Sequence, residues 1–479
     1  MPLILSGNVA SATAGVYEVA NSCRFNDGDS PRLHRTLGTA TDVDKWTFSC
    51  WFKRGVLSAT QYLFYGYASG EESAIVLKSD DTIDWYNYFS SSEQGQLVTN
   101  RKFRDVGAWY HLVCAYDSDN GTAGNRMRMY INGTEETSFA TDTNPASDEN
   151  STINKNVLHN IGMKYSDDGS GYFDGYLAEV CFVDGQQLTP SSFGEFDDDT
   201  PTVFKSIDVS GLTFGDNGAY LDFEDSDNLG DDESGNTNDW TEVNLAATDQ
   251  CTDSPTNNFC TLNSLATGSY NTLSEGNLMT TGNTSSDSGL ATTTIPFAFG
   301  GKWYWEMKII DGNLNSNSGY PVCGIFDDWE SVVDADLNGA SGGALALDVS
   351  LRFGAGAGQT LIKPGTDLSI TAPADDDIIM FAIDRDNNKF YMGNNGTWFN
   401  SGDPTTGATG TGSLMDLTAN TITMFGIHEY NGSDASTNFG SPTYANSSDA
   451  ADANGYGAFE FAPPSGYYAL CTKNLAEEG

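Results

Sequence analysis

Residues 109–117 read Trp-Tyr-His-Leu-Val-Cys-Ala-Tyr-Asp, and residues 126–133 read Arg-Met-Arg-Met-Tyr-Ile-Asn-Gly. Within each stretch an apolar side chain recurs at every second position, which is the alternation of a β-strand with one buried face. The polar residues between the two stretches predict a hairpin tip. Asn132-Gly133 then supplies two residues that tolerate the positive φ of a tight turn. Together these residues predict an antiparallel sheet.

The same pattern recurs on both sides of this hairpin. Further strands are predicted at Trp46–Lys53, Tyr176–Val183, Trp303–Ile309, Ile378–Ile383, Lys389–Gly393 and Thr421–Ile427. Ile378–Ile383 is apolar on both faces, which favours a position in the middle of a packed sandwich. Asp384–Asn388 forms a second polar hairpin tip, and Asn395-Gly396 a second tight turn. Helical periodicity is almost absent, so the sequence predicts an all-β protein.

The length of 479 residues exceeds one compact domain and favours two. We predict an N-terminal arm over 1–14, a β-sandwich over 15–205, a linker over 206–261, and a second β-sandwich with a C-terminal tail over 262–479. The linker is assigned because 206–261 is rich in Asp, Asn and Gly. Tyr220, Phe223 and Trp240 are expected to give it some local order.

The charge restricts the choice of partners. The chain carries 66 acidic against 22 basic residues, a formal net charge of -44. Such a surface repels phosphate backbones and anionic lipid headgroups, so we expect no nucleic acid and no membrane surface as partners. No apolar stretch approaches the roughly 20 residues of a membrane span, and Met1–Leu5 lacks the basic start of a signal peptide. A soluble protein without membrane insertion is expected.

The eight cysteines are widely spaced, and no pair has CxxC spacing. Their even number permits disulfides without requiring them. Cys251 and Cys260 are the pair to test first, and whether they form a disulfide stays open at this point.

Motifs for catalysis are weak. The four histidines lack HExxH spacing, which disfavours zinc chemistry, and His111 is expected at the surface or next to a loop. Gly339–Gly343 fits GxSxG, but the flanking sequence predicts a loop rather than a strand-to-helix elbow. Glu179 and Glu306 lie in predicted strands without the second carboxylate that glycoside hydrolysis requires. We therefore expect no enzymatic activity and assign no catalytic residue.

Calcium is the cofactor with some support in the sequence. Asp225–Gly230 begins like a Ca²⁺-binding loop, but Leu229 occupies a ligand position and Asn236 stands where a bidentate Glu is required. The acidic runs Asp197–Asp199 and Asp375–Asp377 are most simply solvated turns. No metal site is assigned, and the expectation is a protein without a cofactor, with bound Ca²⁺ left open.

Two segments that combine aromatic residues with Asn are candidate binding loops. Asp84–Ser90 and His428–Asn438 could stack on sugar rings and hydrogen-bond to hydroxyl groups. The alternative, equally supported, is that their aromatic residues are ordinary members of a sheet face. No individual binding residue is assigned.

Several short motifs resemble a known fold family. Three motifs of the first half resemble the laminin-G-like, concanavalin-A-type jelly roll. They are Trp109-Tyr110-His111-Leu112-Val113, Met129-Tyr130-Ile131-Asn132-Gly133 and Gly175-Tyr176-Leu177-Ala178-Glu179-Val180. Five motifs of the second half resemble a SPRY-type sandwich. They are Gly301-Lys302-Trp303-Tyr304-Trp305-Glu306, Ile383-Asp384-Arg385-Asp386-Asn387-Asn388-Lys389, Asn395-Gly396-Thr397-Trp398-Phe399, Asn438-Phe439-Gly440 and Pro463-Pro464-Ser465-Gly466. The first resemblance covers about residues 15–205 and the second about 262–470.

The pairing of these two sandwiches is similar to structural and tail-fibre proteins of tailed phages, especially marine ones. The resemblance implies a virion protein assembled in the reducing cytoplasm of a bacterial host, with cysteines as thiols. It implies a short tail fibre or receptor-binding component that recognises host surface polysaccharide and contacts other virion proteins, as a homo-oligomer and by analogy with fibres a trimer. Heptad and hexad repeats of a long shaft are missing from the sequence, so a capsid decoration or tail-attachment protein is the alternative. A glycan hydrolase is the third and least favoured function.

Overall fold

The structure, a computed structural model, describes residues 17–89, 92–165, 170–268, 271–282, 289–297, 300–311, 322–327, 348–352, 360–371, 373–429 and 432–479. The chain divides into two compact units, one ending at Thr256 and the other beginning at Asn257. We call them the N-terminal unit and the C-terminal unit. The predicted arm over 1–14 lies outside the described residues. Within the described ranges, no helix combines the length and the apolar composition that a membrane crossing requires.

The N-terminal unit is built from antiparallel strands. They are β1 Ser22–Phe25, β2 Arg32–Thr36, β3 Lys45–Arg54, β4 Gln61–Ala68, β5 Glu71–Leu77, β6 Ile83–Phe89, β7 Ser92–Thr99, β8 Tyr110–Asp117, β9 Met127–Ile131, β10 Thr134–Glu135, β11 Phe139–Thr143, β12 Leu158–Ile161, β13 Gly175–Asp184, β14 Gly194–Phe196, β15 Phe204–Ser206, β16 Ala219–Leu221, β17 Thr241–Val243 and β18 Gln250–Cys251. Short 3-10 turns lie at Asp27–Asp29, Ala123–Asn125, Pro190–Ser192 and Ala247–Asp249.

These strands form two large sheets that enclose one core. Sheet 1 has the order β10-β9-β8-β3-β13-β1-β18, with β16 also paired to β13, and sheet 2 has the order β11-β7-β6-β5-β4-β12-β2-β17. Aromatic side chains of β3 meet sheet 2 across the core: the ring centroids of Trp46 and Trp85 are 5.4 Å apart, and Phe48 stacks on Phe64 at 4.7 Å. The unit is therefore a β-sandwich whose core is filled by rings.

The C-terminal unit repeats this architecture. Its elements are β19 Leu262–Thr267, β20 Asn271–Ser274, β21 Met279–Gly282, β22 Gly289–Thr293, β23 Lys302–Asp311, β24 Val322–Phe326, β25 Val349–Arg352, β26 Thr360–Ile362, β27 Leu368–Ser369, β28 Ile378–Asp384, β29 Lys389–Asn394, β30 Thr397–Trp398, β31 Met415–Asp416, β32 Met424–Glu429, β33 Asp434–Asn438, β34 Tyr468–Ala469 and the short helix α1 Thr472–Glu478. Two 3-10 segments lie at Phe399–Ser401 and Pro404–Thr409.

The second pair of sheets also packs face to face. Sheet 3 has the order β19-β22-β32-β24-β25-β26-β27, and sheet 4 the order β20-β21-β33-β23-β28-β29-β30, with β31 paired to β29 and β34 to β23. Trp305 of sheet 4 lies 5.6 Å from Phe425 of sheet 3. The all-β fold with two layered sandwiches is thus confirmed, and β28 lies inside sheet 4 with every residue buried, as its apolar sequence predicts.

The two tight turns are also as predicted. Asn132 and Gly133 both have positive φ, 48° and 76°, between β9 and β10. Asn395 and Gly396 have φ of 46° and 78° between β29 and β30. This sign at both central residues matches the right-handed twist of the flanking strands and is accessible to Asn and Gly at little steric cost.

The predicted linker over 206–261 is wrong for most of its length, because this segment belongs to the first sandwich. Its strands β16, β17 and β18 pair with β13, β2 and β1. Phe223, Leu229 and Trp240 are buried in the core of the N-terminal unit. The abundant polar residues fold inward as hydrogen-bonding groups: Asp232 accepts bonds from the backbone N–H groups of Tyr220 and Asn238 at 2.9 and 2.7 Å.

Candidate functional site

The outer face of sheet 2 carries a group of tyrosines, which we call the tyrosine face. It consists of Tyr62, Tyr65, Tyr67, Tyr86, Tyr88 and Tyr165. Successive side chains of a strand point to opposite sides, so Phe64 and Trp85 enter the core while Tyr65 and Tyr86, the next residues along the chain, face outward. A shift in register between Tyr62 and Phe64 inserts one extra residue and brings Tyr62 to the same side as Tyr65.

The rings form a nearly continuous aromatic surface. The centroids of Tyr62 and Tyr65 are 5.7 Å apart, those of Tyr65 and Tyr67 are 6.4 Å apart, and Tyr165 lies edge-on to Tyr67 at 4.6 Å. Tyr65 is almost fully buried and supports its neighbours, whereas Tyr67, Tyr86 and Tyr165 are half-buried and Tyr88 is 37% exposed. The surface therefore has a rigid base and accessible rings.

A carboxylate lies in the middle of this surface. Glu72 of β5 is directly opposite Tyr67 of β4 and Tyr88 of β6 in the sheet register. The hydroxyl of Tyr65 donates a hydrogen bond to Glu72 Oε2 at 2.7 Å, and the hydroxyl of Tyr86 donates to Oε1 at 3.1 Å. Four tyrosines thus surround one half-buried carboxylate.

The two donating hydroxyls stay protonated. Burial, reinforced by the negative charge of Glu72, raises the pKa of Tyr65 and of Tyr86 well above the ordinary value. Both phenols are therefore hydrogen-bond donors to Glu72 at neutral pH, and the Tyr86 phenol is also hydrogen-bonded to Tyr62.

Polar groups border the tyrosines on both sides. On β7, the Gln96 amide donates to both oxygens of Asp84, at 3.0 and 3.1 Å. On β12, Asn160 lies opposite Tyr65 and, on its other side, opposite His34 of β2. Its Nδ2 and Oδ1 are both buried without a hydrogen-bond partner within the part of the chain that the structure describes. Asn160 is only 1% exposed, so its amide lies beneath the tyrosines and is not itself a ligand contact.

This arrangement suits the recognition of sugars. A sugar ring offers an apolar C–H face that packs on an aromatic ring, and hydroxyl groups that pair with carboxylates, amides and phenols. The tyrosine face presents both kinds of group on one rigid sheet.

The sequence prediction found only part of this site. Asp84–Ser90 was expected as a loop, but residues 84–89 lie within β6, an interior strand of sheet 2, and Ser90 is outside the described residues. Tyr86 and Tyr88 are nevertheless on the tyrosine face. Strands β4 and β5, which carry Tyr62, Tyr65, Tyr67 and Glu72, were missed. The repeated tyrosines of Gln61–Ala68 were the available signal.

The second candidate loop is also largely strand. Most of His428–Asn438 belongs to β32 and β33, and its Tyr430 and Asn431 lie outside the described residues. His428 and Asn438 are buried in the C-terminal unit. The described part of this segment does not present an aromatic binding surface.

The carboxylates considered for catalysis are held by hydrogen bonds inside each unit. Glu179 accepts bonds from the hydroxyls of Tyr220 at 2.9 Å and Tyr17 at 3.2 Å. Glu306 accepts from the Tyr304 hydroxyl at 2.8 Å and from the backbone N–H of Phe461 at 2.8 Å. Burial raises the pKa of each to about 7. Both carboxylates thus tie strands and loops together.

His111 is not at the surface, contrary to expectation. It is 1% exposed, its Nε2 lies 3.0 Å from the Ser49 hydroxyl, and Phe204 of the β14–β15 hairpin packs on its ring at 5.0 Å. Burial lowers its pKa to about 3. The alternation of β8 was correct, but the outer face of sheet 1 is covered by residues 185–221, so both faces of the strand are buried.

The acidic segments considered for calcium form hydrogen-bonded turns. Asp225 accepts the backbone N–H of Asp227 at 2.9 Å, and Leu229 enters the core. Asp197 accepts the backbone N–H of Thr200 at 2.8 Å. Asp377 accepts from the side-chain amides of Asn394 and Asn395.

One acidic cluster brings carboxylate oxygens close together. It comprises Asp42, Asp44 and Asp119. Lys45 Nζ lies 2.8 Å from Asp42 and 2.7 Å from Asp119. The ammonium group therefore already takes the place that a cation would fill.

All eight cysteines fall within the described residues, and each is a buried thiol rather than half of a disulfide. Cys251 and Cys260 are accordingly not joined. Burial raises the pKa of Cys50 and Cys114 above the ordinary value. These thiols act as small apolar residues of the core.

Comparison with known proteins agrees with this fold. Residues 27–192 match a family described as the concanavalin A-like lectin/glucanases superfamily, and this range contains the whole tyrosine face. The fold is thus laminin G-like and concanavalin A-like. No curated protein matches the chain.

Solved structures with a similar fold include three of different origin. A putative carbohydrate-binding protein from Bacteroides ovatus is 14% identical, with 48% of this chain and 61% of that chain covered and a TM-score of 0.32. The SPRY domain of human HERC1 is 15% identical, with 37% and 96% covered and a TM-score of 0.26. Domains LG4-5 of the mouse laminin alpha1 chain are 9% identical, with 87% and 84% covered and a TM-score of 0.29.

Proposed function

We propose that the chain is a carbohydrate-binding protein without catalytic activity, and that the tyrosine face of the N-terminal unit binds the glycan. The observation that carries this proposal is the set of four tyrosines around Glu72, with two hydroxyls held in place by the carboxylate. Because the rings stand on a sheet whose other side is a packed core, they lose little side-chain entropy on binding. The family match over residues 27–192 fits glycan recognition.

The biological setting is proposed from the sequence resemblance. In it, the protein is a phage virion component, a short tail fibre or receptor-binding protein that is assembled in the bacterial cytoplasm. Its partners are host surface polysaccharide and other virion proteins, and it acts as a homo-oligomer, by analogy a trimer. An electron-microscopy reconstruction of the particle distinguishes this location from capsid decoration.

The binding proposal is tested by titrating the full chain with surface polysaccharides and defined oligosaccharides in a calorimeter. We expect Tyr67→Ala and Tyr88→Ala each to weaken binding about tenfold, because each removes one stacking ring worth roughly 1.4 kcal/mol. Phe196→Ala is the matched control, since Phe196 is 42% exposed on β14 of the same unit but off the tyrosine face. Unchanged affinity in both tyrosine variants would refute the assignment.

The absence of catalysis is tested on the same ligands. After prolonged incubation of the protein with each bound polysaccharide, the concentration of reducing ends should stay at that of the buffer control. A steady increase proportional to protein concentration would show hydrolysis and remove the non-enzymatic part of the proposal.

A further inference from the structure

The carboxylate at the centre of the tyrosine face has no cationic partner of its own. Among the described residues, no lysine or arginine forms an ion pair with Glu72, whereas its neighbour Glu71 is paired with Lys155 Nζ at 2.8 Å. The groups that do contact Glu72 are two neutral phenols. A half-buried negative charge therefore faces outward inside an aromatic wall.

From this geometry we infer that the tyrosine face selects a glycan that carries a protonated amine, and that Glu72 receives the ammonium group of an amino sugar. The inference rests on the proposed glycan binding and adds the chemical class of the ligand. It names Glu72 as the residue that decides this specificity.

The hydrogen-bonding capacity of the site matches a primary ammonium group. A carboxylate can accept about four hydrogen bonds, and the phenols of Tyr65 and Tyr86 supply one to each oxygen. Among the described residues no third hydrogen bond reaches Glu72, so its remaining lone pairs are open to donors of a ligand. An ammonium group offers three N–H donors. A quaternary ammonium group offers none and would leave these acceptors unsatisfied.

The aromatic rings add a second attraction for the same group. Tyr67 and Tyr88 stand on either side of Glu72 in the sheet register. A cation near the face of a tyrosine ring is attracted by the negative potential of the π-system, and more strongly where solvent is partly excluded. An anionic sugar would meet the Glu72 charge and a protein of net charge -44, so it is disfavoured at short and long range.

The test compares two oligosaccharides that differ only in this group. The full chain is titrated with a β-1,4-linked glucosamine hexamer and with its fully N-acetylated counterpart, in mildly acidic buffer at moderate salt. The inference predicts that the amine form binds at least about tenfold more tightly. Glu72→Gln should remove at least that factor for the amine form, and choline should not compete.

Non-specific attraction to an acidic protein is controlled by Glu224→Gln. Glu224 is exposed on an irregular segment of the N-terminal unit, so this variant loses the same formal charge and should keep the wild-type preference. An unchanged melting temperature of Glu72→Gln in the absence of sugar separates loss of recognition from loss of folding.

The outcomes that overturn the inference are equal affinities for the two hexamers, no measurable binding of the amine form, or a preference that survives Glu72→Gln. None of these refutes the proposed function, which fails instead when Tyr67→Ala and Tyr88→Ala both leave the binding of every glycan unchanged. Effective competition by choline would show that the face recognises any cation, and would overturn the assignment to an amino sugar.

Discussion

Replacement of Trp240 by alanine tests the finding that residues 206–256 belong to the first sandwich. Trp240 is 2% exposed, and its ring lies 6.1 Å from that of Phe64 in the core. Its backbone N–H donates to Gly230 O at 2.7 Å, a bond that alanine retains. The substitution thus removes the ring and leaves a cavity.

Truncation of a buried tryptophan costs about 3–5 kcal/mol, a large part of the 5–15 kcal/mol that stabilises a typical domain. We expect urea denaturation of the full chain to show a free energy of unfolding of the N-terminal unit that is lower by this amount, with the midpoint at a lower urea concentration. Tyr88→Ala, which truncates an exposed ring of the same unit, should cost less than about 1 kcal/mol. A loss of under about 1 kcal/mol for Trp240→Ala would mean that the segment is a linker after all.

Three further predictions concern buried groups. Burial raises the pKa of Glu429 to about 7, so its folded state holds a proton that the unfolded state releases from its ordinary pKa of 4.5 upward. The stability it contributes is complete below that value and is lost as the pH rises through about 7. Between about pH 5 and pH 8, the free energy of unfolding of Glu429→Gln should therefore fall by about 2–3 kcal/mol less than that of the wild type. An equal fall in both proteins would contradict the assignment. Lys53→Met removes the cationic partner of the buried Asp253 carboxylate, whose Oδ2 lies 2.7 Å from Lys53 Nζ. A cost of about 3–5 kcal/mol is expected in the same assay, and a neutral effect would place the pair in solvent. The thiols should not react with a disulfide reagent until the protein unfolds, and rapid labelling of the native chain would contradict their burial.

The strands that alternate cleanly were predictable from sequence because one of their faces is apolar and the other polar. Trp46–Lys53 and the hairpin around Asn132-Gly133 follow this rule. Strands β4 and β5 do not, since tyrosines on the outer face of β4 and Ala74 and Val76 on that of β5 remove the polar half of the pattern. The aromatic residues on the outer face of these strands hide the alternation that would have predicted them, and the same residues form the candidate binding surface.

The composition of 206–261 was misleading in a different way. Asp and Asn are usually solvated, and a segment rich in them predicts a linker. Here their side chains replace backbone partners inside tight turns: the Asn238 amide donates to Gly218 O at 2.8 Å and to Asp216 O at 2.9 Å. The pairing of β16 with β13 and of β17 with β2 involves partners far apart in the sequence, and such contacts cannot be predicted from local composition.

A structure of the full chain with a bound oligosaccharide would test directly whether a glycan lies on the outer face of sheet 2. We predict sugar rings in van der Waals contact with Tyr67 and Tyr88 and a polar substituent at Glu72. A ligand bound at the loops of the sandwich rim, with the tyrosines untouched, would contradict it.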